Sequence, residues 1–330
     1  MRISYETMRA EFERVLLALS FTEAKAAAIA AIFAGNSLDG VYTHGLNRFP
    51  TFIQFVRDGL VKKDAEPTLD HTAGAVERWN GNLGPGVLNA SFAMARACAL
   101  AETSGIGCAA LRNTNHWMRG GAYGWQAAEA DCIGIGFTNT IPLMPPWGGV
   151  EPRLGNNPLV IAVPRVGGHV VLDMAMSQYS MGKLHQYKNA NTTLPCPGGY
   201  DAAGNLSLDA SEIIAAQRPL PIGFWKGSGL ALMLDILTSV LTHGKTSADL
   251  AQQKFETGIS QTFICLKADP ALCQRVCDQV IEHIKSSGAV ENGGTIRYPG
   301  EGVLQMRAEN LKDGIPVDEG IWKQVLEMEL

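Results

Sequence analysis

Between about residue 70 and residue 286, short apolar runs of strand length alternate with segments of helical period. This alternation constrains the fold more than any other feature. It predicts an α/β layered domain, with helices packed on a sheet. Strands are expected at 105–111, 132–138, 159–163, 169–174 and 259–266, and helices at 88–102, 122–130, 225–241 and 270–286. The first 60 residues read differently. Phe12, Val15, Leu16 and Leu19 recur at helical spacing, Thr22 can cap a second helix, and an Ala-rich run continues it until Gly35 and Gly40 break the pattern. Pro50 stands where a further helix can start, running to Gly59. Residues 183–222, rich in Asn, Gly, Pro and Ser, read as an excursion of loops and short helix, and the last thirty residues as a helical finish.

A length of 330 residues suggests about two domains. With 46% hydrophobic and 18% charged residues, most of the chain has ample material for a core. The charges, 27 basic against 32 acidic, leave a net of −5 with no concentrated run, so no nucleic-acid partner is expected. No stretch reaches the ~18 apolar residues of a membrane span; 229–241 is short and carries Asp235. Glu6, Arg9, Glu11, Glu13 and Arg14 interrupt the N-terminus, which excludes a signal peptide there. A cytoplasmic protein without membrane contact is therefore expected. Seven cysteines form no disulfide pattern, and Cys273 with Cys277 lacks the second ligand pair of a zinc site, so no metal is expected.

No G-x-G-x-x-G follows a strand and opens a helix; Gly81, Gly84 and Gly86 have the reversed spacing. Two polar clusters remain. In Thr43-His-Gly-Leu-Asn-Arg48, one helical turn would project His44 and Arg48 to the same face. A guanidinium clamps a carboxylate, and a histidine exchanges a proton near neutral pH. Together they suit a 2-oxo or 2-hydroxy acid, although a capped, solvated turn has the same spacing. In the second cluster, Arg112 to Gly121, Asn115, His116 and Trp117 offer donors and a flat wall just after an expected strand. Lys226, in a glycine-flanked turn, suits a phosphate or carboxylate holder, a Schiff-base lysine or a solvated loop residue. Asp173 suits a ribose anchor, an orienter of histidine or a turn cap.

Read together, these segments resemble the malate/L-lactate dehydrogenase family, whose members lack a Rossmann domain. The resemblance rests on Thr43-His-Gly45 with Arg48, Asn115-His116, Gly155-Asn-Asn-Pro158, Leu172-Asp-Met-Ala175, Lys226-Gly-Ser-Gly-Leu230 and Arg297-Tyr-Pro-Gly-Glu301, in family order over nearly the whole chain. Val41 to Pro50, Asn115 to Gly121, Met144 to Gly148 and Phe224 to Gly229 are most similar to the members that reduce 2,3-diketo-L-gulonate. Gly182 to Tyr187, Ala190 to Pro195 and Glu301-Gly302 depart from those members, whereas Ser228 agrees with them.

The resemblance implies a mixed, largely antiparallel sheet with helices, a non-Rossmann NAD-binding fold, over 71–182 and 223–304. A helical domain of 1–70 would be joined by 305–330, and 183–222 would lie near the substrate pocket. It also implies a homodimer whose partner subunit contributes to the site. NAD is the implied cofactor, with NADH preferred and NADP possible. The implied reaction is reduction of a 2-oxo acid. His44 would be the acid, with Arg48 on the substrate carboxylate and Thr43, Asn115, His116 and Trp117 nearby. Cofactor contacts would come from His169, Val170, Val171, Leu172, Asp173, Met174 and Ala175, from Trp225 and Lys226, and from Gly300, Glu301 and Gly302. The alternatives are a malate, lactate or ureidoglycolate type of dehydrogenase, a cyclic-imine carboxylate reductase, a Schiff-base lyase using Lys226, and a non-catalytic sugar-acid binding protein.

Overall fold

The computed structural model describes residues 1–290 and 294–328, so the last two residues of the expected helical finish lie outside the described residues. The chain opens with β1 (Arg2–Ile3), α1 (Tyr5–Ala18) and α2 (Glu23–Leu38). Ser4 and Thr22 cap the two helices, each side-chain oxygen accepting a backbone N–H three residues on. Gly35 does not break α2 as expected. The helix runs through it because Asn36, Ser37 and Leu38 bury its last turn, which outweighs the ~1 kcal/mol cost of an in-helix glycine. After two short 3₁₀ turns comes α3 (Phe49–Arg57), with Pro50 in its first turn. Phe12 stacks on Phe49 at 4.1 Å, and Phe33 meets Phe49 edge-on. Ile315, Trp322 and Val325, from the far end of the chain, close the same core.

The sheet elements follow as β2 (Thr68–Ala73), β3 (Val76–Asn80), α4 (Gly86–Ser104), β4 (Ile106–Thr114), α5 (Gly121–Glu129) and β5 (Cys132–Thr138). Next are β6 (Pro142–Met144), β7 (Leu154–Gly155), β8 (Leu159–Val163) and β9 (Val170–Met174). The excursion is more structured than expected. It holds α6 (Met181–Ala190), the hairpin β10 (Gly199–Tyr200) and β11 (Leu206–Ser207), and α7 (Ala210–Ala216), around a small core of Leu184, Leu194 and Ile213. The chain ends with α8 (Trp225–Thr242), α9 (Ser247–Leu250), β12 (Ile259–Lys267), α10 (Pro270–Lys285), α11 (Glu301–Asp313), β13 (Ile315–Pro316) and α12 (Glu319–Leu326). The pair β1–β13 ties the two chain ends together.

The seven-stranded sheet has the order β2-β3-β4-β12-β5-β8-β9, and only β3–β4 is parallel. Its centre is β12, antiparallel to both β4 and β5. Strand alternation sends Phe263 to one face, among Met94, Ala97 and Ala127 of α4 and α5, and Ile264 to the other, against Ala231 and Leu234 of α8. With β3–α4–β4 as its one parallel crossover among the described residues, such a sheet lacks the series of parallel crossovers at whose switch point a Rossmann fingerprint sits. Among the described residues, no helix is long and apolar enough to cross a membrane.

Candidate active site

A cleft of about 640 Å³ opens between the edge of the sheet at β9 and the helical end of the molecule. Thr43 and His44 reach it from the first 3₁₀ turn, Tyr42–His44. The next turn, Leu46–Arg48, is separated by Gly45 at φ −114° and ψ −120°, so His44 and Arg48 do not share a helical turn. The loop is instead pressed onto α2. A Cβ at Gly45 would fall 2.9 Å from the Phe33 carbonyl oxygen, Asn36 Nδ2 donates to the His44 carbonyl at 3.0 Å, and Ser37 Oγ accepts Leu46 N–H at 2.9 Å. The polar C-terminal turn of α2 thus fixes where His44 points.

His116 arrives from the loop after β4. Asn115 holds that loop by donating to the carbonyls of Leu83 (2.8 Å) and Gly84 (3.0 Å), and its own carbonyl accepts from Gln261 Nε2 at 3.0 Å. The Asn115 amide nitrogen is therefore spent on backbone. Gly86 permits the close approach, because a Cβ there would lie 2.2 Å from the Asn115 carbonyl oxygen and 2.3 Å from that of His116. Gly86→Ala should displace this loop and lower stability by about 1–3 kcal/mol, measurable as a reduced Tm together with reduced turnover. Unchanged turnover would show that the loop position is not critical. Trp117 lines the cleft, yet its ring is buried in the sheet core beside Phe263 and Tyr123.

The imidazoles of His44 and His116 lie nearly parallel with centroids 5.7 Å apart. Burial, with the charges of Arg48 and Arg119, pushes His44 down to about 4. Burial, with His44 and Arg48, holds His116 well below the ordinary range. Both rings are therefore neutral near pH 7. Thr43 Oγ1 engages His44 Nδ1 at 3.0 Å. Met118 N–H donates to His116 Nδ1 at 2.9 Å, which leaves the His116 proton on Nε2.

Arg48 does not line the main cleft. It faces an adjoining chamber of about 40 Å³ whose wall His116 shares, together with Asn115 and Glu256. No hydrogen bond or ion pair ties its guanidinium to another described residue, so its donors are open to a ligand carboxylate. Glu256 is nearly buried; burial raises its carboxyl above the usual range, opposed by the Ile141 N–H and by Arg48. Nothing in the sequence marked Glu256.

On the opposite wall, Asp173 Oδ2 accepts Gly121 N–H at 2.8 Å, and Arg119 Nε lies 3.9 Å away. Burial raises the Asp173 carboxyl, against the pull of Arg119 and that N–H. Arg119 also donates to Asp39, which Arg307 clamps at 2.6 and 2.9 Å. Gly300 adopts φ +96° where Pro299 O accepts Val171 N–H at 3.0 Å, and a Cβ there would crowd the His169 carbonyl at 3.1 Å. Backbone, not side chain, thus forms that stretch of wall. The N-terminus of α11, uncapped by any side chain, opens there.

A sequence model of the malate/L-lactate dehydrogenase family matches residues 3–326. The chain belongs to that family. It is 42% identical to 2,3-diketo-L-gulonate reductase of Pasteurella multocida (strain Pm70), with 98% of this chain and 99% of the relative covered. It is 41% identical to the enzyme of the same name from Escherichia coli (strain K12), with the same coverage. Sulfolactate dehydrogenase from Methanocaldococcus jannaschii superposes with TM-score 0.88 at 28% identity, covering 98% of this chain and 95% of that one. Malate dehydrogenase from Entamoeba histolytica shares the fold, with TM-score 0.92 at 23% identity over 99% and 96% of the two chains.

As a member of this family the chain is an oxidoreductase of 2-hydroxy and 2-oxo acids that uses a nicotinamide cofactor. The residues present fit such a group, since the cleft lies within the roughly 300–1,000 Å³ of small-molecule sites. Val171, Leu172, Asp173, Ala175 and Gly300 line it. The structure does not bring the other expected contacts to the cleft. His169 packs on Trp125 at 5.2 Å, Val170 pairs with Val163, and Met174 pairs with Leu159. Glu301 is engaged with Lys285, and Gly302 lies in the first turn of α11. Trp225 and Lys226 sit in the first turn of α8, both exposed. Arg119, Thr140, Asn156 and Arg297 line the cleft without having been expected there.

Proposed function

We propose that the chain reduces a 2-oxo acid, 2,3-diketo-L-gulonate, to 3-keto-L-gulonate at the expense of NADH. The observation that carries the substrate is the 41–42% identity, over 98% of the chain, to enzymes of that name. The site suits the class: the Arg48 guanidinium, which no described residue pairs, lies beside two neutral histidines and can take a carboxylate while His44 serves the neighbouring oxygen.

The bound nicotinamide supplies the hydride. Arg48 holds the substrate carboxylate with a planar fork that an ammonium cannot reproduce. With Nδ1 engaged by Thr43, Nε2 is the His44 nitrogen left for the carbonyl oxygen. Neutral His44 takes the proton in the oxidative direction. For reduction, the substrate carboxylate offsets Arg48 and raises His44, so that the ring carries the proton it delivers. Trp117, Leu172 and Val171 exclude water from one side of the reacting centre.

NADH is the expected carrier, since the Asp173 carboxylate on the cleft wall suits a ribose diol better than a ribose phosphate. Reduction of the four acids 2,3-diketo-L-gulonate, pyruvate, oxaloacetate and piperideine-2-carboxylate, followed with NADH and separately with NADPH, tests the reading. Fast NADH oxidation with diketogulonate supports it, whereas preference for another acid replaces the substrate. The Schiff-base alternative loses ground because Lys226 is exposed and lines neither cavity.

The proposed working form is a homodimer in the cytoplasm. Its support is the outer face of α8, where Leu232, Met233, Ile236 and Leu237 are exposed together with Val240 at 65% and Trp225 at 64%. A face this apolar is a site of protein association. A second copy seated there would cover Trp225 and Lys226. The seven free thiols fit a reducing compartment. Ile236→Glu should shift the protein from dimer to monomer in sedimentation. A wild-type monomer, or a variant that stays dimeric, would remove α8 from the interface.

A further inference from the structure

We infer that His116 and Glu256 form a donor–acceptor pair that reads a hydroxyl group on the substrate, selecting hydroxylated 2-oxo acids over pyruvate-like and dicarboxylic ones. The inference rests on the reading of the chain as a 2-oxo acid reductase. It begins with two unsatisfied groups. Met118 N–H occupies His116 Nδ1, so Nε2–H is a donor, and Glu256 Oε1 faces it at 4.0 Å. That gap is too long for a hydrogen bond. The other Glu256 oxygen, Oε2, accepts Ile141 N–H at 3.1 Å, which fixes the carboxylate and leaves Oε1 without a donor. Both side chains are mostly withdrawn from solvent, exposed by 26% and 15%. A half-buried donor and a half-buried acceptor thus face each other across a gap that neither closes, each open to a ligand group.

An oxygen placed about 2.8 Å from both atoms, an ordinary hydrogen-bond length, closes the gap. Only a group that accepts and donates at once satisfies both sides, and a hydroxyl does so: it takes Nε2–H and gives its proton to Oε1. A carboxylate has no proton for Glu256 and adds a like charge beside it. A methyl group offers neither function. The chamber that His116 and Glu256 line, about 40 Å³ beside Arg48, has room for a hydroxyl-bearing carbon and not for a whole sugar-acid chain. The carboxylate on Arg48 shares this chamber with the hydroxyl, and the remainder of the chain lies in the main cleft, with His116 on the wall common to both cavities.

Glu256→Gln tests the assignment because it preserves shape. The amide oxygen can keep the Ile141 N–H, and the NH₂ then faces His116, converting donor–acceptor into donor–donor. With NADH, kcat/KM for 2,3-diketo-L-gulonate should fall roughly 10- to 100-fold, the range of a hydrogen bond to a charged group. The value for pyruvate should stay within about threefold, and that for oxaloacetate should rise, since two donors suit a carboxylate. For an acid too poor to turn over, its Ki against diketogulonate gives the same comparison. Glu256→Asp keeps the acceptor and should retain the wild-type order of substrates, and it serves alone should the Gln variant not fold. Equal losses on all three acids would assign Glu256 a structural role and overturn the inference, as would an unchanged ratio. A wild-type enzyme that reduces no 2-oxo acid would instead overturn the reading on which the inference rests.

Discussion

Replacing His44 with Asn should lower kcat by roughly 10²- to 10⁴-fold, the usual contribution of a positioned proton donor, while the Kd for NADH stays within about threefold. His44 lies on the cleft wall with Thr43 on Nδ1, and the loop carrying it is pinned through backbone groups by Asn36 and Ser37. An amide at this position keeps the loop and loses the transferable proton. The pH profile makes the claim sharper. In the free enzyme burial, Arg48 and Arg119 depress the ring to about 4, so the protonated form is scarce at neutral pH. The kcat/KM for reduction, which needs that form, should fall as pH rises above the depressed value, while kcat/KM for oxidation, which uses the neutral ring, should not. Stability moves with the same group. Between its ordinary value of about 6.5 and its folded value of about 4, the unfolded chain binds the extra proton. Acidification through that window therefore destabilises the wild type, and the Asn variant should lose less. Kinetics and acid unfolding that match the wild type would remove His44 from the mechanism.

Asp39→Ala should cost about 3–5 kcal/mol, because it removes the carboxylate that pairs the buried Arg119 guanidinium. Asp39 is nearly buried at the C-terminal end of α2, takes two hydrogen bonds from Arg307 of α11, and accepts from the equally buried Arg119 of the cleft loop. Three segments distant in sequence meet on one carboxylate. At a few degrees per kcal/mol, Tm should drop on the order of 10 °C. Asp39→Asn, which keeps an acceptor without the charge, should fall between variant and wild type. Because Arg119 also approaches Asp173, the Ala variant that remains folded should bind NADH more weakly. A Tm within 1–2 °C of wild type would show that water compensates the arginines.

The strands of the central sheet were legible where they are buried, since burial writes apolar runs into the chain. The run 132–138 coincides with β5, and 159–163 with β8. The β2–β3 hairpin went unrecognised because every residue of β2 is exposed, and an edge with no buried face leaves no alternation to read. The largely antiparallel character came from resemblance, as periodicity does not encode strand direction. In the site, His44 and Arg48 are held close by a mechanism other than the one their spacing suggested. Gly45 breaks the turn, and packing on α2 sets the loop. Glu256 was invisible because its role comes from tertiary placement against His116, 140 positions away in a segment without a motif. Trp225 and Lys226, whose cofactor contacts came from resemblance alone, are exposed and do not line the cleft of this chain.

The central claim is hydride transfer from a nicotinamide to carbon 2 of a 2-oxo acid. It is tested most directly by turnover of 2,3-diketo-L-gulonate with NADH carrying deuterium at the transferable position, with the product analysed by mass spectrometry and NMR. One deuterium is expected on carbon 2 of the product and none in the water. Product formed without the label, or a borohydride-trappable adduct on Lys226 in its place, would contradict it.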